Sequence, residues 1–249
     1  MNKNTNLECF FVCYGKLNPN TVVGYKYVIL EPFFYSEVEI EEFKKNNELV
    51  FAYISLGEIN IYSKRYEELK PYTLGQNQNW NSFLLNLQNK ETIHILKNEA
   101  EILIQKGYSG LFLDNLDNFG QFGKQTEQQD QLLELIKEIA TKFPKHHFIQ
   151  NGGLEFIGST HKNVTAILLE SIATLYDFDK NEYLLRPEND FTMRQKNIKM
   201  LTEKYRIPVL VLDYTDSKEN YEEIKEKLHQ CGFSFFISKI DLQSTPNYN

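Results

Sequence analysis

Short runs of apolar, β-branched and aromatic residues recur along the whole chain. Most of these runs are continuously apolar rather than alternating, which is typical of parallel strands that are covered on both faces. The pattern predicts eight strands: Phe10–Tyr14, Val22–Leu30, Leu49–Ser55, Gly110–Leu113, His147–Gln150, Val164–Leu169, Pro208–Leu212 and Phe233–Ile237.

Segments with apolar residues at helical spacing lie between most of these runs. Ser36 and Thr126 each begin a segment with an acid or amide three residues later, which is the pattern of a capping box. Gly107 and Gly232 are placed to end the helices that precede them. The predicted helices cover residues 36–46, 91–106, 126–143, 190–205 and 217–230.

Strand and helix alternate to the end of the chain without a linker rich in Pro, Gly or Ser. Eight strands with intervening helices in 249 residues predict a single-domain (β/α)8 TIM barrel over residues 1–249. An open doubly wound sheet is the alternative. Two connections, 59–82 and 171–189, are longer than a barrel needs. Both follow the carboxyl end of a predicted strand, where barrel enzymes build their sites.

Composition and charge exclude several classes of function. With 27 Lys and Arg against 34 Asp and Glu, the net charge is −7, so a basic nucleic-acid footprint is absent. No stretch approaches the roughly 18 apolar residues of a transmembrane helix. Three Cys, an odd number, exclude a disulfide framework. The first residues do not read as a signal peptide, so the chain as written is expected in the cytoplasm unless a signal has been removed.

Acidic residues follow five of the eight predicted strands. Because the carboxyl ends of barrel strands meet at one mouth, we expect these acids to crowd together there and to raise one another's pKa. Such crowding adds nothing to stability, which indicates chemistry or ligand binding. The acids are Glu31, Glu58, Asp114, Asp117, Glu170 and Asp213, and the amide pair Gln150 and Asn151 ends a sixth strand.

Each acid taken alone has a structural explanation, because an Asp after a strand commonly caps a helix or closes a turn. Asp117 and Asp213 both admit this explanation. Other chemistries fit less well, since no HxH or HExxH motif is present, and no metal or cofactor is predicted. The Gly152–Gly153 pair is too short for a phosphate-binding loop. Chemistry by two carboxylates remains, and glycoside hydrolysis is its main example.

Five segments, in this order, resemble one enzyme family: FAYISLGEINIY, GYSGLFLDNLDNF, IQNGG, ILLESI and PVLVLDY. The resemblance is to the endo-α-1,4-polygalactosaminidase-like glycoside hydrolases and spans about residues 10–237. It implies a TIM barrel that cleaves α-1,4-linked galactosamine polymers. It also implies that Asp114 and Glu170 are the catalytic pair. Other cleft positions implied by the resemblance are Glu31, Glu58, Asn151 and Asp213.

The chemistry of such a substrate agrees with the charge of the chain. A partly deacetylated amino-sugar polymer is partly cationic near neutral pH, and a cleft rimmed by carboxylates, Asp117 among them, would attract it. Tyr53, Tyr214 and Trp80 lie near strand ends or in the first long connection and are candidate platforms for sugar rings. Packing is the alternative for each of the three. The expected partner is therefore a polysaccharide or oligosaccharide, and the sequence predicts no oligomeric state.

We expect a retaining mechanism, in which Asp114 is the nucleophile and Glu170 is the acid and then the base. Asp114 lies among amides (Asn115, Gln150 and Asn151) that can donate hydrogen bonds, whereas Glu170 follows an apolar run that should raise its pKa. The exchanged assignment is an alternative. Two other functions stay open: a non-catalytic carbohydrate-binding barrel that keeps the acidic cleft, and a barrel hydrolase that acts on another glycan. The paired acids favour an enzyme.

Overall fold

The computed structural model describes residues 10–248. Its strands are β1 (Phe10–Cys13), β2 (Tyr27–Leu30), β3 (Leu49–Ser55), β4 (Glu58–Asn60), β5 (Thr73–Asn77), β6 (Ser82–Leu85), β7 (Gly110–Asp114), β8 (His147–Asn151), β9 (Ala166–Glu170), β10 (Thr174–Asp177), β11 (Glu182–Leu185), β12 (Val209–Tyr214) and β13 (Ser234–Ser238). Its helices are α1 (Glu37–Asn46), α2 (Tyr66–Leu69), α3 (Lys90–Gln105), α4 (Gln129–Lys142), α5 (Ile157–Thr160), α6 (Glu188–Tyr205) and α7 (Lys218–Cys231).

Eight of the strands form one parallel sheet in the order β1-β2-β3-β7-β8-β9-β12-β13. Each hydrogen-bonded pair of neighbours runs parallel. The last strand returns to the first: the rings of Phe10 and Phe236 lie 6.1 Å apart, and the backbone N–H of Tyr14 donates to the carbonyl oxygen of Leu242 at 2.7 Å. The sheet is therefore a nearly closed barrel with helices outside it, and the predicted TIM-barrel fold is confirmed.

Alternate residues of each strand face the inside of the barrel. Phe10, Val12 and Ile29 belong to one buried cluster that fills the interior. Phe11 and Val28, at the intervening positions, belong to a second cluster between the strands and the helices. Because both faces of the sheet are buried, the strands read in the sequence as continuous apolar runs.

Of the two capping boxes predicted at helix starts, one is confirmed and one is wrong. The capping box at Ser36 is present: its backbone N–H donates to Glu39 Oε2 at 2.8 Å, and the Glu39 N–H donates back to Ser36 Oγ at 3.4 Å. The box predicted at Thr126 is wrong, because α4 begins only after a 3-10 turn. The Thr126 hydroxyl instead donates to the carbonyl oxygens of Gly120 and Gly123. Between residues 10 and 248, no helix has the length and apolarity that crossing a bilayer requires.

The second strand is shorter than predicted. Only Tyr27–Leu30 of the run Val22–Leu30 is a strand. Gly24, with a φ of 89°, turns the chain between a buried Val22 and the strand, and its N–H donates to the carbonyl oxygen of Asn46. A left-handed turn of this kind is open to glycine without strain.

The two long connections contain small sheets of their own. The first connection, 59–82, contributes to a three-stranded antiparallel sheet in the order β4-β6-β5. This sheet begins at Glu58 and ends at Leu85. The connection 171–189 contains the antiparallel hairpin of β10 and β11. Both insertions therefore extend the barrel at the carboxyl ends of its strands, β3 and β9, as ordered structures rather than as irregular loops.

Candidate active site

Every second residue of a barrel strand faces the interior, and the last such residue of each strand lies at the barrel mouth. Phe10 and Val12 face the interior, so the next inward position of the first strand is Tyr14; Phe112 in β7 leads in the same way to Asp114. An apolar barrel interior thus ends in a layer of polar side chains. This layer includes Tyr14, Glu31, Tyr53, Asp114, Asn151, Glu170 and Tyr214.

One amide nitrogen joins the two acids that the resemblance implies are catalytic. Asn151 Nδ2 donates to Asp114 Oδ1 at 2.7 Å and to Glu170 Oε1 at 2.6 Å. The two carboxylate oxygens therefore lie at most 5.3 Å apart, the sum of those two lengths. Asp114 and Glu170 thus face each other across the mouth and are bridged by this amide.

The second oxygen of each carboxylate accepts a hydrogen bond from a tyrosine hydroxyl. Tyr53 donates to Asp114 Oδ2 at 2.8 Å, and Tyr214 donates to Glu170 Oε2. Tyr214 is only 2% exposed, so its ring is part of the wall rather than a surface for a ligand. The hydroxyls of both tyrosines orient the acids, which is a different role from the sugar-stacking platform predicted for them.

Tyr14 is a site residue that sequence reasoning missed. Its ring packs edge-on against Tyr53 with centroids 5.0 Å apart. Burial raises the pKa of the Tyr14 phenol well above its usual value, and the charges of Asp114 and Glu170 raise it further. All four residues of β1 are apolar and buried, so the sequence did not show that the set Phe10, Val12 and Tyr14 points inward.

The electrostatic environment keeps the proton on Glu170 to unusually high pH. Although its side chain is accessible from the cleft, protein groups surround the carboxylate, and this loss of water raises the pKa of Glu170 to about 7. The Asp114 carboxylate raises it further, whereas hydrogen bonds from Tyr214 and Asn151 act in the opposite direction. Burial also raises the pKa of Asp114, against hydrogen bonds from Tyr53 and Asn151.

A cavity of about 410 Å³ opens beside the two acids. Asp117 lies on its wall, and Asp117 Oδ1 accepts the N–H of Gly153 at 2.6 Å. Gly152 and Gly153 have φ of 67° and 60°, and a side chain at Gly152 would meet Asp117 Oδ2 at 2.2 Å. The glycine pair noted in the sequence is therefore what lets this loop approach the acid closely.

The structure does not place Glu58 in this cavity. Its side chain is 5% exposed, and its carboxylate accepts hydrogen bonds from Asn77, Ser82 and Asn118. Asn77 and Ser82 belong to the three-stranded insertion, and Asn118 follows β7. Glu58 thus ties the insertion to the loop that lines the cavity.

Asp213 also lies away from the cavity, on the outer side of β12. Because Leu212 and Tyr214 face the interior, Asp213 points toward the helices and is completely buried. Its oxygens accept the backbone N–H groups of the three residues Ile172, Ala173 and Thr174, and the Thr174 hydroxyl. Burial raises the pKa of Asp213 to about 6, against these hydrogen bonds. Its role is to anchor the chain that follows Glu170.

The remaining predicted residues also differ in whether they contact Asp114 or Glu170. Glu31 lies in the mouth layer, and its Oε1 accepts the N–H of Phe33 at 3.2 Å. Of the side-chain amides expected to donate to Asp114, that of Asn151 does so, while Asn115 donates its backbone N–H. Gln150 is fully buried and donates to the carbonyl oxygens of Gly152 and Gly153, and Asn115 accepts the Ser55 hydroxyl.

Trp80 connects the two insertions. Its ring is 47% exposed and packs edge-on against Phe178 of the β10–β11 hairpin, with centroids 5.2 Å apart. Phe178 in turn contacts Tyr176 at 5.0 Å. These three rings form an aromatic bridge between the extensions of β3 and β9. In the described part of the chain, no group of three or more His, Cys, Asp or Glu is arranged to hold a metal ion.

A nearly closed parallel barrel whose mouth holds two facing carboxylates is the arrangement of a glycoside hydrolase. The model of glycoside-hydrolase family GH114 matches residues 6–249. The chain belongs to this family and is a glycosidase, so the family and the class of activity predicted from the sequence are confirmed. Among curated protein sequences, none matches the chain.

Solved structures share the fold at low sequence identity. The glycoside hydrolase domain of PelA from Pseudomonas aeruginosa is 22% identical, covers 95% of both chains and has a TM-score of 0.82. Ega3 from Aspergillus fumigatus, solved in complex with galactosamine, is 16% identical over 94% of this chain and 91% of its own, with a TM-score of 0.73. The α-galactosidase TtGalA from Thermus thermophilus is more distant, at 10% identity, with a TM-score of 0.59 over 96% of this chain and 59% of its own.

Proposed function

We propose that this glycosidase cleaves an α-1,4-linked, partly deacetylated galactosamine-type polysaccharide, with Asp114 and Glu170 as the catalytic pair. The observation that carries the proposal is the Asn151 amide, which donates to both carboxylates and sets their separation. Family membership and the galactosamine bound to Ega3 support the substrate class. The net charge of −7 supports it as well, because an acidic mouth attracts protonated amines.

The separation of the acids supports a retaining mechanism. Retaining enzymes hold their two carboxyl groups about 5–5.5 Å apart, whereas inverting enzymes need about 6.5–9.5 Å to admit a water. Asp114 Oδ1 and Glu170 Oε1, which share Asn151 Nδ2, lie within 5.3 Å of each other, a proximity compatible with the closer, retaining arrangement. A covalent intermediate on one carboxylate therefore fits this geometry better than direct attack by water.

In the proposed reaction, Asp114 attacks the anomeric carbon while Glu170 protonates the glycosidic oxygen, so that the leaving chain departs with a free hydroxyl. Glu170, now ionised, then takes a proton from a water that displaces Asp114 and releases the second chain. The pKa of about 7 supports Glu170 as the acid, since much of it is still protonated near neutral pH. Hydrogen bonds from Tyr53 and Asn151 favour the ionised form of Asp114 that attack requires.

The other mouth residues have proposed roles that follow from their contacts. Asp117, on the cavity wall, is placed to attract an amine of the substrate. Tyr53 and Tyr214 orient the catalytic acids through their hydroxyls. Trp80 is the most exposed member of the aromatic bridge and offers a ring face to a sugar unit beyond the cavity.

The test is release of reducing ends from a galactosamine polymer. We expect the wild-type protein to release them with retained anomeric configuration, as read by NMR of the first product. Asp114→Asn and Glu170→Gln should each lower turnover by several orders of magnitude with an unchanged fold. Glu203→Gln, on the outer helix α6 and exposed, is the matched control and should keep full activity.

Two outcomes would contradict the proposal. Near-normal activity of either variant would remove that residue from the catalytic pair. Tight polymer binding by the wild-type protein without any release of reducing ends would favour the carbohydrate-binding alternative instead.

A further inference from the structure

The cavity beside the catalytic pair is not uniformly acidic. Asp114, Asp117 and Glu170 lie on its wall, and Arg194 of α6 is the one basic residue among the described residues that line it. Asn197 and Ile198 of the same helix line it too, because residues three and four apart share a helix face. The wall of this cavity of about 410 Å³ therefore carries both carboxylates and an arginine side chain.

A chain of ion pairs holds Arg194 in this position. Its Nε donates to Asp190 Oδ1 at 3.1 Å, and Asp190 Oδ2 accepts Nη1 of Arg186 at 2.7 Å. The Nε of Arg186 donates to the carbonyl oxygen of Ser171 at 2.8 Å, directly after Glu170. The single charge of Asp190 is shared between two guanidiniums, so this cluster keeps a net positive charge. Within residues 10–248, the terminal nitrogens of Arg194 have no hydrogen-bond partner.

The acidic and the basic residues of the cavity wall consequently favour different chemical groups. A protonated amine is attracted to the carboxylates and repelled by the guanidinium. A carbonyl oxygen accepts hydrogen bonds from a guanidinium, and an acetamido group carries such an oxygen without a charge. A partly deacetylated polymer presents both groups on successive units.

We propose that Arg194 selects an N-acetylated sugar unit bound beside it in the cavity. The enzyme then prefers to cleave bonds near an acetylated unit whose neighbour carries a free amine. The inference rests on the proposed function and adds a specificity-determining residue to it. Arg194 touches the substrate through its free terminal nitrogens, while Asp190 and Arg186 hold it in place.

The experiment compares three galactosamine polymers: fully deacetylated, partly acetylated and fully acetylated. We expect the wild-type protein to have its highest kcat/KM on the partly acetylated polymer. Mass spectrometry of its products should show acetylated units enriched at one chain end. Arg194→Met should lower kcat/KM on the partly acetylated polymer about tenfold, as expected for lost hydrogen bonds to a charged group, and should abolish the enrichment.

We expect Arg194→Met to raise kcat/KM on the fully deacetylated polymer rather than lower it. Removing the guanidinium removes a repulsion of the amine, so kcat/KM there should rise about threefold. Lys196→Met, exposed on the same helix and two residues away, is the matched control and should change neither rate.

The failures of the two proposals are distinguishable. If Arg194→Met lowers the rates on all cleaved polymers by one common factor, or leaves the product ends unchanged, the role of Arg194 is overturned while the proposed function stands. If the wild-type protein cleaves none of the three polymers, the proposed function and this inference fall together.

Discussion

At the scale of single residues, the geometry of the mouth depends on Asn151. Its Nδ2 uses one hydrogen for Asp114 and one for Glu170, and its Oδ1 is buried without a partner in the described residues. Turning the amide over would place that oxygen against two carboxylates. The orientation is therefore fixed by the acids, and it in turn holds them at the separation that the proposed reaction needs.

The pH dependence of the reaction should follow the proton of Glu170. This proton is lost as the pH rises through about 7, so kcat/KM should fall above that value if Glu170 is the acid. Tyr214→Phe removes a hydrogen bond that lowers the pKa of Glu170, and the alkaline limb should therefore move to higher pH, by roughly one unit. A pH–rate profile of both proteins measures the shift.

Tyr205→Phe, at the far end of α6, serves as the control and should leave the profile in place. A limb that stays at the wild-type pH in Tyr214→Phe, or moves to lower pH, would show that the titrating group is not the Glu170 carboxyl bonded to Tyr214.

At the scale of elements, Glu58 anchors the three-stranded insertion to the barrel. The carboxylate accepts hydrogen bonds from two residues of the insertion and from Asn118, which also lines the cavity. The insertion and the loop after β7 are thereby held by one buried acid. Disturbing it should loosen the insertion and the cavity wall together, while the barrel strands remain paired.

We expect Glu58→Ala to lower the free energy of unfolding by about 2–3 kcal/mol, because buried donors lose their acceptor. Hydrogen exchange should accelerate in Ser82–Leu85 more than in the barrel strand Gly110–Asp114. Urea unfolding and exchange mass spectrometry measure the two effects. Glu48, which is exposed just before β3, provides the control, and Glu48→Ala should change neither quantity. Equal acceleration of hydrogen exchange in all strands of the Glu58 variant would refute a local anchoring role.

At the scale of the whole molecule, charge should govern the first encounter with the substrate. The chain carries a net charge of −7, and its mouth holds four carboxylates: Glu31, Asp114, Asp117 and Glu170. Arg194 offsets only part of that charge. Attraction of a cationic polymer to such a surface is long-ranged and weakened by salt.

Binding of a fully deacetylated polymer to the Asp114→Asn protein, which we expect to be inactive, should therefore weaken about tenfold between about 0.05 M and about 0.5 M NaCl, as the screening length shortens. Calorimetric titration at several salt concentrations measures this dependence. The fully acetylated polymer, which is uncharged, is the control and should bind with little salt dependence. Equal slopes for the two polymers would contradict electrostatic recognition of the amines.

Much of this architecture was predictable from the order of residues alone. Continuous apolar runs separated by amphipathic helices predicted the barrel, since strands covered on both faces have no polar side. Acids placed directly after such runs predicted an acidic mouth, and the structure brings Asp114 and Glu170 together there. These features depend on local sequence and on the fixed direction of parallel strands, which collects all their carboxyl ends at one mouth.

Only the tertiary structure decided which acids face one another. Where both faces of a strand are apolar, the sequence does not show which alternate set points inward, so Asp213 and Glu170 looked equivalent although one faces the helices and the other the cavity. Contacts between distant segments likewise placed Glu58 beneath an insertion and Arg194 beside the acids. Side-chain direction in a doubly buried strand, and the approach of a helix residue to a strand end, are set by packing across the whole barrel rather than by neighbours along the chain.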